Sequence, residues 1–198
     1  MIKEVDYIDL KAQSLADFDI ISTHIWDIAK MNCSPNDMVS LLEPCVGGGK
    51  LLSLAPEKWI IEGYEPDYAM YKMANGMMVT QKRNNAKIHN SDFESVCINK
   101  NFYTYDLIVS IPYTNKGINP EKEKGIDYLN IKNYGWYVLI RSIDLLTKGG
   151  IGIFALPATL LGDVYSYEKE WVAKKCIILS NDRITEKNDN VVLTIKKM

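Results

Sequence analysis

Four short segments combine residue types that can do chemistry, and each follows an apolar run. The first is Glu43-Pro44-Cys45-Val46-Gly47-Gly48-Gly49. Its glycines remove Cβ atoms where the chain must turn sharply, so the backbone can approach a ligand closely. It is a poor match to a phosphate loop, because no Ser or Thr follows Lys50 and Pro44 stands where the first glycine belongs. The dinucleotide fingerprint is incomplete too, with Leu52 in place of its third glycine. A plain tight turn is the alternative. The second segment, Gly63-Tyr64-Glu65-Pro66-Asp67, ends in a carboxylate placed to accept two ribose hydroxyls. Its alternative is that Glu65 caps a helix beginning at Pro66. Met70, Met73 and Met77 follow at helical spacing and are expected to pack in the core.

The third segment is Ser91-Asp92-Phe93. Asp92 can accept from the exocyclic amine of an adenine while Phe93 forms a flat apolar wall; a helix cap followed by a core aromatic is the alternative. The fourth, Asp106-Leu107-Ile108-Val109-Ser110-Ile111-Pro112-Tyr113, ends a buried strand in a small polar residue, a rigid proline and an aromatic. The Ser110 hydroxyl and the Ile111 carbonyl can both accept from a planar amino group, drawing its lone pair out of conjugation, and Tyr113 can stack on the attached ring. His24 and His89 are isolated and receive no catalytic role.

These tips need a scaffold. Apolar runs at 38–44, 59–65, 86–92, 105–112, 150–157, 176–180 and 191–197 have the length and borders of buried strands. Residues 48–57, 66–79, 131–147 and 164–174 predict helices; in the third, Trp136, Leu139, Ile140, Ile143 and Leu146 recur at three- and four-residue steps until Gly149-Gly150 ends it. Alternating strands and helices predict a mostly parallel sheet covered on both faces. The last two strands lack room for a helix between them and predict an antiparallel hairpin. The first 30 residues predict one or two helices packed beside the sheet.

With 198 residues, 47% of them apolar, the chain is expected to form a single domain over 1–198. A net charge of −2 gives no global basic surplus for gripping nucleic acid. The run at 81–87 is expected to be a solvated face, and Lys122 and Lys124 alternate with Glu121 and Glu123 in the polar loop 114–130, which is expected to be mobile. Cys33, Cys45, Cys97 and Cys176 lack metal or redox spacing and are expected to be free buried thiols. No metal is expected. Neither a signal peptide nor a membrane span is recognisable, which predicts a cytoplasmic protein with no membrane partner.

The four tips, in this order and spacing, resemble the S-adenosylmethionine-dependent amino-methyltransferases, closest to the gamma arrangement of adenine-specific DNA methyltransferases. The resemblance covers nearly the whole chain. Residues 43–49 look like that family's cofactor glycine loop, and Glu65, followed by Pro66, like its ribose acid. Asp92 and Phe93 are similar to its adenine-binding pair. Ser110-Ile111-Pro112-Tyr113 looks like its Asn-Pro-Pro-Tyr catalytic tetrapeptide, with Ser110 also beside the cofactor. Trp136 to Ala158 is similar to its helix, glycine turn and fifth strand. Ser22-Thr23 corresponds to its N-terminal motif beside the methionine carboxylate, with His24 in place of the usual proline. The resemblance implies a Rossmann-like, seven-stranded methyltransferase sheet, S-adenosylmethionine as cofactor, and methyl transfer to adenine N6 in DNA.

Two departures qualify the acceptor. Ser110 replaces Asn or Asp and is more typical of cytosine-N4 enzymes; Ile111 keeps the first proline's carbonyl but loses its rigidity. No target-recognition domain is expected, so the DNA would be single-stranded or read through a partner specificity subunit, with the chain a homodimer or a subunit of a complex. RNA adenine, cytosine N4 and protein glutamine are the alternative acceptors. A catalytically inactive binding subunit or inhibitor is the alternative function.

Overall fold

The computed structural model describes residues 4–95, 104–113, 131, 133–184 and 189–198, with side chains from residue 17 onward. The 114–130 loop, its lysines and Cys97 lie outside the described residues. Helix α1 (Glu4–Asn32) is one continuous helix. Then follow β1 (Ser40–Glu43), β2 (Ile60–Tyr64), α2 (Tyr68–Thr80), β3 (Ala86–His89), β4 (Tyr105–Ser110), α3 (Tyr134–Leu145), β5 (Leu146–Pro157), α4 (Ser166–Lys175), β6 (Cys176–Arg183) and β7 (Asn190–Lys197). The seven strands form one sheet in the order β3-β2-β1-β4-β5-β7-β6. Strands β1 to β5 pair in parallel, and β7 runs antiparallel between β5 and β6. This is the expected sheet, closed by the expected antiparallel strands.

Alternation along each strand divides the apolar residues between two faces. Leu41, Leu107, Val109, Ile151, Ile153 and Val192 pack with Ile21, Ile25 and Trp26 of α1 and Ala74 and Met78 of α2. Leu42, Ile108, Phe154, Leu156, Leu193 and Ile195 pack with Trp136, Leu139, Ile140 and Ile143 of α3 and Val172 of α4. Among the described residues each face therefore carries two helices, the cover that a mostly parallel sheet requires. Among the described residues, no helix is long and apolar enough to cross a membrane.

Several boundaries differ from the sequence reading. Residues 48–57 form no α-helix: turns lead into a 3-10 segment, Leu52–Leu54. Pro56 stops propagation within a turn, and the carbonyls a helix would use are taken by side chains. Trp26 Nε1 donates to Leu51 O at 2.9 Å, and the Arg83 guanidinium donates to the carbonyls of Ser53, Ala55 and Pro56. Arg83 thus belongs to a clamp rather than to a freely solvated run. Helix α3 stops at Leu145 instead of at the glycine pair, because Leu146 already pairs with Tyr105 and opens β5. Gly149, at φ +81°, lies inside that strand. Cys33 is half-buried, whereas Cys45 and Cys176 are buried, and none of the three is in a disulfide.

Candidate functional site

Glu43 of β1 is in register with Gly63 of β2, and Leu42 with Ile108 of β4. The segments after these three strands therefore leave the sheet side by side. The strand order also changes direction here, with β2 and β3 to one side of β1 and β4 and β5 to the other. The crevice outside such a switch is where open parallel sheets hold ligands.

The glycine loop folds over the end of β2: Val46 N donates to Tyr64 O and Gly49 N to Val46 O, both at 3.1 Å. Gly47 and Gly49 have φ of +55° and +86°, the left-handed region. A Cβ on Gly49 would lie 2.8 Å from Ala74 Cα, so the loop rests directly on α2. That contact decides which face α2 buries: Ala74 and Met78 point inward. Met70 and Met73, expected in the core, are instead 44% and 59% exposed. They border the loop, with Met73 Cε 3.3 Å and Met70 Sδ 4.0 Å from where a Gly48 Cβ would be. Pro44 and Cys45 are buried beneath it.

Glu65, just beyond β2, is 1% exposed. Its Oε2 accepts from Gly47 N and from Tyr113 Oη, each at 2.8 Å, and its Oε1 accepts from Asp67 N at 2.8 Å. Glu65 does not cap α2; Asp67 does, accepting from Met70 N at 2.9 Å, and Pro66 is exposed between them. Glu43 is 2% exposed, and its Oε2 has no hydrogen-bond partner among the described residues. Burial, and then the charge of Glu65, push the Glu43 carboxyl well above its ordinary value.

At the end of β4, Ser110 is fully buried and its Oγ is unpartnered among the described residues. Ile111 packs toward the α1–α2 side of the core, and Pro112 is buried. Tyr113 lies over the glycine turn, its Oη 3.7 Å from where a Gly47 Cβ would stand. Burial, and then the bond to Glu65, push its phenol far above the usual range.

Asp92 is half-buried at the start of the 3-10 segment Phe93–Ser95. Phe93 has no exposed surface; its ring centroid is 6.1 Å from that of Tyr64 and 5.9 Å from the Arg141 guanidinium. It is a core aromatic and not an open wall. Thr23 is exposed midway along α1, and its Oγ1 donates to Asp19 O at 2.9 Å. Helical spacing puts it on the same face as Asp19, which pairs with Lys50, and Trp26. That face flanks the glycine loop, but the hydroxyl of Thr23 is engaged within its own helix.

The sequence reading missed Tyr134. This residue opens α3, is 2% exposed, and packs in the same cluster as Cys45 and Phe93. The available signal was an aromatic opening the helix that follows the fourth segment. It also missed a network around Glu62, which accepts from Tyr64 Oη at 3.0 Å and Tyr105 Oη at 2.7 Å and lies 2.8 Å from His89 Nε2.

No protein-family model and no curated protein matches the chain. Among solved structures it is similar to a candidate class I S-adenosylmethionine-dependent methyltransferase from Listeria monocytogenes, with a TM-score of 0.81 and 14% identity over 90% of this chain and 59% of that one. It is also similar to a type I restriction-modification system methyltransferase subunit from Streptococcus thermophilus, with a TM-score of 0.66 and 17% identity over 86% and 42% of the two chains. A candidate methyltransferase from Streptococcus mutans, solved in complex with SAH, gives 0.56 and 12% over 81% and 89%. The chain thus spans only about three-fifths and two-fifths of the first two proteins. What it shares with all three is the Rossmann-like methyltransferase fold.

Proposed function

We propose that the chain binds S-adenosylmethionine in the crevice beyond β1, β2 and β4 and transfers its methyl group to an exocyclic amino group, adenine N6 in DNA first. The observation that carries this reading is the meeting of three separate segments at one carboxylate: Glu65 takes both the Gly47 N–H and the Tyr113 hydroxyl.

The residues present fit such a cofactor. Gly47 and Gly49 give a turn without side chains, Glu65 is an acceptor for ribose hydroxyls, and Asp92 for an adenine amine. Glu43 and Ser110 bring buried polar atoms that have no partner among the described residues. When bound, the cofactor supplies a methyl group on a positively charged sulfur. The chain's own part is to orient the acceptor. Ser110 Oγ and the Ile111 carbonyl accept from the amino group, so its lone pair points out of the ring plane, and Tyr113 holds the ring by stacking. Transfer needs the nitrogen within roughly 3–3.5 Å of the methyl. A base in a duplex must be flipped out to reach this depth.

The likeness to a restriction-modification subunit favours DNA, read through a partner subunit. Ser110 and Ile111 keep cytosine N4, RNA adenine and protein glutamine as further acceptors. Labelled S-adenosylmethionine incubated with DNA, RNA and protein pools tests the reaction: methyl transfer to DNA adenine is expected, and label in another pool reassigns the acceptor. Calorimetry with S-adenosylhomocysteine tests the site. Glu65→Ala is expected to weaken binding by about 1–3 kcal/mol; unchanged affinity removes Glu65 from the site.

A further inference from the structure

A carboxylate offers about four acceptor positions, two on each oxygen. On Glu65 the backbone N–H groups of Gly47 and Asp67 fill one on each oxygen, and Tyr113 Oη fills the second on Oε2. One position remains. A ribose diol brings two hydroxyl donors, so Glu65 cannot serve both of them while Tyr113 is bound.

From this count we infer that Tyr113 competes with the cofactor ribose for Glu65, so that the affinity and order of binding are set by the release of Tyr113. This rests on the cofactor reading given above. Tyr113 holds the position, donating at 2.8 Å to a carboxylate otherwise shut off from solvent. The two backbone donors are fixed by the fold and remain. Tyr113 is the partner that can leave. It is 37% exposed and belongs to neither core cluster, so side-chain rotation frees it without unpacking the sheet. The chain before it is anchored: Pro112 is buried and fixes its own φ, and Ile111 packs against the core.

Release also hands the ring its other task. While its hydroxyl is bound to Glu65, Tyr113 covers the glycine turn and is held away from an acceptor. The ribose frees the phenol at the mouth of the β4 crevice, where an acceptor ring can stack on it. Cofactor therefore binds before acceptor, and a protein without cofactor presents no stacking platform. An affinity lowered by an occluding conformer rises when that conformer is removed.

The test is a double-mutant cycle read by calorimetry with S-adenosylhomocysteine on the full chain: wild type, Tyr113→Phe, Glu65→Gln and the double variant. Phenylalanine keeps the ring and loses only the competing hydroxyl. Tyr113→Phe is expected to bind about tenfold more tightly, the scale of one hydrogen bond to a charged acceptor. In the Glu65→Gln background the same change should have less than about twofold effect. Circular dichroism and thermal melting establish that the four proteins share one fold. Wild-type binding with unchanged or weaker affinity in Tyr113→Phe overturns the competition and leaves the cofactor site standing. An equal gain in both backgrounds also overturns it, since the gain would not pass through Glu65. No binding by any folded variant overturns the cofactor reading itself, and the competition with it.

Discussion

Glu43 ends β1 and Glu65 stands just beyond the neighbouring β2, two carboxyl groups withdrawn from solvent with unequal sets of partners. Three hydrogen bonds converge on Glu65, while Glu43 Oε2 has no partner among the described residues. Burial first and Glu65 second raise Glu43 well above the ordinary 4.5. Folded protein therefore keeps a proton on Glu43 that unfolded chain has lost above about that value. This contribution to stability is fully present below 4.5 and drains away as pH rises toward the folded value. Glu43→Gln, neutral at every pH, should flatten the decline. Chemical denaturation of both proteins between pH 4 and pH 9 measures the difference, which should widen with pH.

Glu62 has the opposite sign. Burial pushes it up, but Tyr105, Tyr64 and His89 outweigh burial and hold it below its ordinary value. Its stabilisation is present above 4.5 and is lost as pH falls through the lowered folded value. Tyr105→Phe removes the 2.7 Å bond and should cost about 1.5–3 kcal/mol at pH 7, the range for a charged acceptor. Denaturation at pH 7 and pH 3 should show that cost shrinking in acid.

Gly49→Ala should destabilise by at least about 1–3 kcal/mol, because a side chain is strained at φ +86° and its Cβ would press on the α2 backbone. Gly76→Ala, where nothing lies within 4 Å, is the control and should be neutral or stabilising. Paired thermal melts read the contrast directly.

Arg83→Lys should lose about 1–2 kcal/mol, since an ammonium cannot reach three carbonyls with the fork of a guanidinium. Urea unfolding measures the loss. An equal loss in Trp26→Phe, which forfeits the bond to Leu51 O, would show how strongly the segment after the glycine loop depends on side-chain donors.

The sheet was legible because strand and helix periods differ so clearly in this chain. Leu107, Ile108 and Val109, for example, are all buried and leave no polar face to confuse the reading. The glycine turn and Glu65 were legible as a pair because backbone conformation and carboxylate chemistry are local properties. What escaped was decided at a distance. Residues 48–57 have helical spacing, but Trp26 and Arg83 claim their carbonyls from elsewhere in the chain. Met70 and Met73 have core chemistry, but the close approach of Gly49 to Ala74 rotates them outward. Tyr113 was read as an aromatic ring for stacking; nothing in its neighbours along the chain reveals that its hydroxyl meets an acid nearly fifty positions earlier.

Strand β7 lies between β5 and β6 although it follows both in the chain. During synthesis on the ribosome, β5 can pair with β4, but its other edge and the whole of β6 must wait for β7, with a strand-wide gap between them. Residues Ile177, Ile178 and Leu179 of β6 have exposed apolar side chains even in the finished sheet. Until β7 slots in, both edges of that gap are open to the wrong partner, another nascent chain included. Vectorial synthesis thus leaves the half of the sheet without the glycine loop as the last to close.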